Sequence, residues 1–323
     1  MAELNGSRTS AAIKTSTEPL PNLLSTKADP SGVTQRIDAN ANTDITFCRH
    51  IARLAVRSLY AELALYPKPG LVSLVDNGSH DDMSAATFVR SLFALRRYFS
   101  LITEAGMRDA PFHELKRLGI EAERRMLRAT AGINTHRGAI FCLGLLCAAI
   151  GRCRAQGPAP TAQAIQHILQ ARWGAELAGH SIDAGAGSHG AQALLRYAAS
   201  GAREEGARGF PSVFGVGLPA LRRTLAAGRG MRLARIDALF SLMAHISDTN
   251  VYHRGGAEGA LTVRRQARAF MARGGTAAPD WEARTLACHR DFVAARLSPG
   301  GAADLLGAVC LVQAVAAIDG VAH

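Results

Sequence analysis

Apolar residues along this chain recur three and four positions apart, and no stretch sustains the two-residue alternation of a strand. Asp44 reads as the N-cap of a first helix with Ile51, Ala55 and Leu59 on one face, and Glu62 falls on that same face. Pro67-Lys68-Pro69-Gly70 ends it. Ser84 then caps a helix to about Thr103, with Phe88, Leu92, Leu95 and Phe99 inward. Further helices are predicted over Glu114 to Arg128, over the almost wholly apolar Ala139 to Ile150, and over 161–179. Others follow near 216–228, 232–248, 258–273 and 280–296, with a last apolar one ending near Ile318. The pattern predicts an all-α fold: a single globular domain of about ten helices whose functional loops converge on one cleft. Residues 1–43 are rich in Ser, Thr, Asn and Pro without apolar periodicity. They are expected to form a disordered arm ahead of an all-α catalytic domain over 44–323.

Charge narrows the partners. Lys plus Arg number 37 against 26 Asp plus Glu, a formal net charge of +11 that favours acidic ligands. Aromatics make up 6% and no basic run is interleaved with them, so nucleic acid ranks below phosphorylated metabolites. No apolar run of membrane-spanning length is free of a polar residue or a Gly motif, and the N-terminus lacks a signal-peptide core. The six cysteines show no Cys-x-x-Cys spacing and read as reduced core residues of a cytoplasmic protein.

Polar residues gather between the helices beyond what capping needs. The central cluster is Asn134-Thr135-His136-Arg137, set between Gly132 and Gly138. The free N–H groups opening the next helix are expected to face an anion there, reinforced by His136 and Arg137. Lys68, stiffened by two prolines, suits a point charge on a phosphate. Asp76, Asp81 and Asp82 offer oxygens to a hard cation, with His80 as an outer partner. Glu62 is a carboxylate on an apolar stripe, costly unless paired or at a site edge. Glu123 is a second candidate, whereas Glu121 and Arg125 form an ordinary i,i+4 pair. The Gly-rich loop 183–190 carries His189, but no strand precedes it and no Gly-Lys-Ser/Thr follows, so it is no Walker or Rossmann signal. Arg203 lies among dense charges beyond it. Last, the helix over 232–248 runs into Asp248, Asn250, His253 and Arg254, closed by Gly255 and Gly256. An acid at a helix C-terminus opposes the dipole, which points to Asp248 as a metal ligand or catalytic carboxylate.

Taken together, several motifs resemble the triphosphoribosyl-dephospho-CoA synthase family in order and spacing. They are Pro67-Lys-Pro-Gly-Leu-Val72, Gly78-Ser-His-Asp-Asp-Met83, Ala122-Glu123 with Met126, and Thr130-Ala-Gly-Ile-Asn-Thr-His-Arg-Gly-Ala-Ile-Phe141. Ser188-His-Gly190, Gly209-Phe-Pro211, Asp248-Thr-Asn250 with His253-Arg-Gly-Gly256, and Ser298-Pro-Gly-Gly301 with Asp304 complete the set. The similarity covers residues 48 to 315. Ser73 stands where the family often has Asp, which moves that metal role to Asp76 or Asp82. The segment 201–206 keeps Arg203 and Glu205 of the family's Gly-x-Arg-Gly-Glu-Ala but loses a glycine.

The resemblance implies a transferase that joins ATP to 3′-dephospho-CoA with release of adenine. The product would be 2′-(5″-triphosphoribosyl)-3′-dephospho-CoA, a prosthetic-group precursor, with wording nearer the malonate decarboxylase system than citrate lyase. It implies catalytic roles among Asp248, Glu62, Glu123 and His136, and Mg²⁺ held among Asp76, Asp82 and Asp248. Substrate contacts fall to Lys68, His80, Asn134, Thr135, Arg137, His189, Arg203, Asn250, His253 and Arg254; of the site residues, Lys68, His136, Arg137 and Arg254 are expected on phosphate. ATP and dephospho-CoA are the expected partners, with no nucleic acid or membrane; a homo-oligomer is compatible with the sequence. Two other readings compete: a helical hydrolase of an ADP-ribose-like bond, and a non-catalytic basic helical scaffold, whose binding would weaken steeply with salt.

Overall fold

The computed structural model describes residues 30–157, 159–179 and 201–319, with side chains over 42–157, 159–179 and 201–317. Contacts divide the chain into Met1–Ala41 and Asn42–His323, and everything described below from residue 42 on belongs to the second unit. Helix α1 spans Pro30–Leu63, so Asp44 stands inside it and is not its N-cap. There follow α2 (Ala85–Met107), α3 (Phe112–Ala129), α4 (Arg137–Gln156) and α5 (Ala162–Gly179). Residues 201–207 are helical, and a π-helical turn, Ser212–Gly217, leads into α6 (Leu218–Ala226). The chain closes with α7 (Gly230–His245), α8 (Thr249–Ala272), a 3₁₀ turn at Gly275–Ala277, α9 (Trp281–Ala294) and α10 (Gly300–Asp319). The described residues contain no strand, and the fold is all-α as the periodicity predicts.

The helices form where apolar spacing and end signals agree. Ser84 is the N-cap of α2, and its backbone N–H reaches Thr87 Oγ1 at 3.4 Å. The inward row of α2, Leu92, Leu95, Phe99 and Ile102, is at most 4% exposed and packs on α4. That approach is close enough that a Cβ at Gly106 would collide with the Ala148 carbonyl, and one at Gly151 with the Thr103 carbonyl. α4 and α10 carry the two longest strongly apolar stretches among the described helices. Both are long and apolar enough to cross a membrane by length and composition, yet here they lie against one another in the core. Leu143, Leu146, Cys147 and Ile150 of α4 and Leu306, Val309, Leu311 and Val312 of α10 are fully buried. All six cysteines are unpaired and buried, as core residues.

One boundary differs in a way that bears on function. The sequence suggests a loop from 248 to 256, whereas α8 begins at Thr249 and carries a kink at Gly256, where φ is 60° and ψ −158°. Two adjacent glycines read as a break, but only the second leaves helical geometry. Val251, 1% exposed, anchors the first turn to the core.

Candidate active site

The site is a cleft lined by the loop 67–83, the α3–α4 turn, the first turns of α8 and α10, and the segment around 201–212. The expected convergence of the 67–83, 130–138 and 248–256 segments is met; 183–190, with His189, lies outside the described residues.

The first wall is the turn after α1. Glu62, at the end of α1's apolar stripe, is 5% exposed, and Lys68, folded back over the Pro67 turn, is 1% exposed. Lys68 Nζ donates to Glu62 Oε1 at 2.5 Å. Burial raises the Glu62 pKa and lowers that of Lys68, each opposed by the partner's charge. The buried carboxylate thus has its counter-ion, and the ammonium expected on phosphate is already paired.

The rest of the loop is held from outside. Ser79 Oγ donates to the Leu297 carbonyl at 2.6 Å, and Arg254 donates to the Ser79 carbonyl at 2.8 Å. Arg254 also reaches His80 Nδ1 at 2.9 Å. A guanidinium only donates, so Nδ1 accepts, and His80 offers its Nε2–H to Ser298 Oγ at 2.8 Å. Burial, then the Arg254 charge, lowers the His80 pKa, consistent with a neutral ring. Asp82 lies on the cleft at 61% side-chain exposure. Asp76 is directed elsewhere: its Oδ1 accepts from Gly78 N at 2.8 Å and its Oδ2 lies 3.4 Å from His289 Nε2. It does not line the cleft, and among the described residues no three His, Cys, Asp or Glu side chains are arranged to hold a metal by themselves.

At the start of α4 the chain meets its own donors. Arg137 N–H reaches Asn134 Oδ1 at 3.2 Å, Ile140 N–H reaches the His136 carbonyl at 2.8 Å, and Ala139 N–H goes to the Asp304 carboxylate. Little of this helix end is left for a phosphate. Arg137, 59% exposed, pairs with Glu123 through Nε to Oε1 at 2.6 Å at the cleft rim. His136 is 3% exposed, with Nδ1 2.7 Å from Ser91 Oγ and its ring edge-on to Phe88 at 4.9 Å. Burial, aided by the Lys68 charge, lowers its pKa to about 3. His136 is therefore neutral near pH 7 and no cationic phosphate contact. Its Nε2 and the neighbouring Thr135 Oγ1 are buried without a hydrogen-bond partner among the described residues.

Asp248 is placed differently from the sequence reading. α7 ends at His245, and Asp248 is the N-cap of α8: its Oδ1 accepts from Asn250 N at 3.0 Å, and its Oδ2 from Ala302 N of α10 at 2.9 Å. Two helix N-termini favour its charge, which removes the dipole penalty inferred from the sequence. Burial outweighs those donors and raises its pKa to about 6. Asn250, His253 and Arg254 occupy the first turns of α8, on the cleft and exposed, and Arg203 also lines it.

The residue that individual candidates missed is Asp304. It sits on the second turn of α10, and only a glycine at 138 leaves room for its carboxylate, since a Cβ there would collide with Oδ2. Burial first, then the charges of Glu62 and Asp248, push its pKa well above the usual carboxylate range. The motif Ser298-Pro-Gly-Gly301 with Asp304 was the available signal, because an acid set among the Ala, Leu and Val of so apolar a helix is expensive. The cleft floor thus holds three carboxyls, Glu62, Asp248 and Asp304, with Asp304 under the charge of the other two, and among the described residues one buried cation, Lys68.

Comparisons with known proteins agree on one family. Residues 48–321 match the model of ATP:dephospho-CoA triphosphoribosyl transferase. A probable 2-(5''-triphosphoribosyl)-3'-dephosphocoenzyme-A synthase of Acinetobacter calcoaceticus is 38% identical over 276 residues, covering 84% of this chain and 94% of the relative. One from Stutzerimonas stutzeri is 40% identical over 271 residues, with coverage of 81% and 90%. The synthase of Pectobacterium atrosepticum is 37% identical over 270 residues, with coverage of 81% and 88%. No solved structure matches.

Proposed function

This chain belongs to the ATP:dephospho-CoA triphosphoribosyl transferase family, and from that premise we propose how its cleft joins ATP to 3′-dephospho-CoA. The bond from the ATP ribose C1 to adenine N9 breaks as a bond from C1 to the acceptor 2′-oxygen forms. Overall, the hydroxyl proton ends on released adenine. The observation that carries this reading is the under-neutralised carboxyl floor beneath a rim of Arg137, Arg203, His253 and Arg254. A reaction centre that gains positive character needs carboxylates beside it, as in glycoside hydrolysis, and two polyanions need cations around them.

Asp304 takes the proton-accepting role in this account. Its neighbours make it the strongest base of the three carboxyls once substrate-borne cations enter, and the bond to Ala139 N–H fixes its orientation. Glu62, held by Lys68, stays in place as the fixed negative charge. The donor set fits Mg²⁺ as one carboxylate plus phosphate oxygens: Asp248 is buried, has no side-chain cation among the described residues, and is oriented by the backbone N–H groups of Asn250, Val251, Gly301 and Ala302. Mg²⁺, when bound, neutralises triphosphate charge. Arg254 and Arg137 carry the remaining phosphate contacts at the rim.

Incubation with ATP, Mg²⁺ and dephospho-CoA, followed by mass analysis, tests the reading. Equal amounts of free adenine and coupled nucleotide are expected; hydrolysis of ATP with no coupled product would reject it. We assign the product to the carrier subunit of malonate decarboxylase, on the motifs Lys-Pro-Gly-Leu-Val-Ser73 and Asn77-Gly-Ser-His-Asp-Asp-Met83. Preferential rescue of a citrate lyase carrier would overturn that assignment.

A further inference from the structure

We propose that His136, set by Ser91, presents its Nε2–H to a ring nitrogen of the adenine that departs from ATP. This rests on the transferase reading above and adds a leaving-group contact to it.

The tautomer follows from counting partners. Ser91 is 0% exposed, and among the described residues the one hydrogen-bond neighbour of its Oγ is His136 Nδ1 at 2.7 Å. If Nδ1 carried the proton, the Ser91 hydroxyl hydrogen would be buried with no acceptor among the described residues, which is costly. Ser91 therefore donates to Nδ1, and the imidazole proton sits on Nε2. That N–H is then a buried donor with no acceptor among the described residues, and Thr135 Oγ1 of the preceding residue likewise has no partner among them. Two orphaned polar atoms, on adjacent residues that line the cleft, are satisfied by a ligand.

The chemistry of that ligand is restricted. His136 is neutral, the nearby Lys68 is paired with Glu62, and the floor beyond is carboxylate-rich. These surroundings disfavour a phosphate and suit an uncharged acceptor. The Phe88 ring edge beside the imidazole adds an apolar wall. Adenine's ring acceptors are N1, N3 and N7, and the two nearest the breaking bond, N3 and N7, gain most from a donor as that bond opens. As the glycosidic bond breaks, electron density moves onto the purine, so a neutral N–H donor gains strength towards the transition state. Ser91 is a positioning residue: it touches no substrate and fixes the tautomer and ring plane.

Turnover of ATP, 7-deaza-ATP and 3-deaza-ATP by the wild type, His136→Ala and Ser91→Ala tests this. The wild type should lose about tenfold or more in kcat on one deaza analogue, and His136→Ala should lose about as much on ATP with no further loss on that analogue. KM for ATP should move less than about threefold. Ser91→Ala should fall between the two, with activity restored by Ser91→Thr. Nitrogen NMR of the wild type should show the His136 proton on Nε2. If His136→Ala fails to fold, His136→Gln, which keeps a donor, should fold and retain part of the discrimination. Equal analogue penalties in wild type and variant, no penalty on either analogue in the wild type, or wild-type kcat in His136→Ala would each overturn the proposal. Absence of coupled product from the wild type itself would instead reject the transferase reading.

Discussion

Asp237 and Asp304 are both carboxylates on apolar helices, and their surroundings differ in kind. Asp237 of α7 is 3% exposed in the corner shared with α6 and the 3₁₀ turn. Its Oδ2 accepts from Thr224 Oγ1 at 2.6 Å and Thr276 Oγ1 at 2.7 Å, and its Oδ1 from Thr276 N at 2.8 Å. Arg229 supplies the counter-charge at 3.3 Å. Asp304 has one backbone donor, two carboxyl neighbours, and no ion pair among the described residues. A buried charge with every partner supplied is architecture; one left short at a cleft is kept for a ligand.

The comparison can be broken most visibly at its structural end. Asp237→Ala leaves Arg229 and two threonines without their acceptor and should cost about 3–5 kcal/mol in denaturant unfolding, with turnover per folded molecule preserved. Loss of turnover without loss of stability would place Asp237 in the wrong class. Next, Gly138→Ala drives a methyl into Asp304 Oδ2. It should cost about 1–3 kcal/mol and lower kcat about tenfold, because the carboxylate must leave Ala139 N–H. A variant with wild-type kcat would show that the placement of Asp304 does not matter.

Dependence on pH sharpens the contrast further. His136 falls from an ordinary value of 6.5 to about 3 on folding, so the unfolded chain takes the proton first as the solution is acidified. Its contribution is present above pH 6.5 and lost as pH falls towards 3. Asp248 rises from 3.8 to about 6, so its contribution is present at acid pH and lost as pH rises through that window. Urea midpoints from about pH 4 to 6 should therefore climb more steeply for Asp248→Asn than for wild type, and less steeply for His136→Gln. Parallel curves would contradict both placements. The smallest effect is expected at the rim: Arg254→Ala should raise KM for a substrate about three- to tenfold with kcat little changed. Unchanged KM for both substrates would remove Arg254 from phosphate binding.

Local signals carried much of this far, and contacts across the chain decided the rest. Ser84 as a cap, the inward rows of α2 and α3, and the apolar α4 and α10 follow from spacing alone. Glu62 and Lys68 were each conspicuous, but their pairing depends on how the Pro67 turn folds back. Asp248 was singled out for a mistaken reason. Gly255 and Gly256 hid a helix start, so a favourable N-cap looked like an unfavourable C-terminus. Asp304 and Ser91 acquire meaning only when α10 and α2 close on the start of α4, which no periodicity announces.

The claim that Asp304 is held short of partners for chemistry is tested most directly by the turnover of Asp304→Asn in a preparation whose thermal midpoint is recorded alongside. The amide keeps the shape and removes the charge. The account predicts a midpoint no lower than wild type and kcat reduced about a hundredfold or more. A midpoint lowered by several degrees with turnover intact would contradict it and make Asp304 a second Asp237.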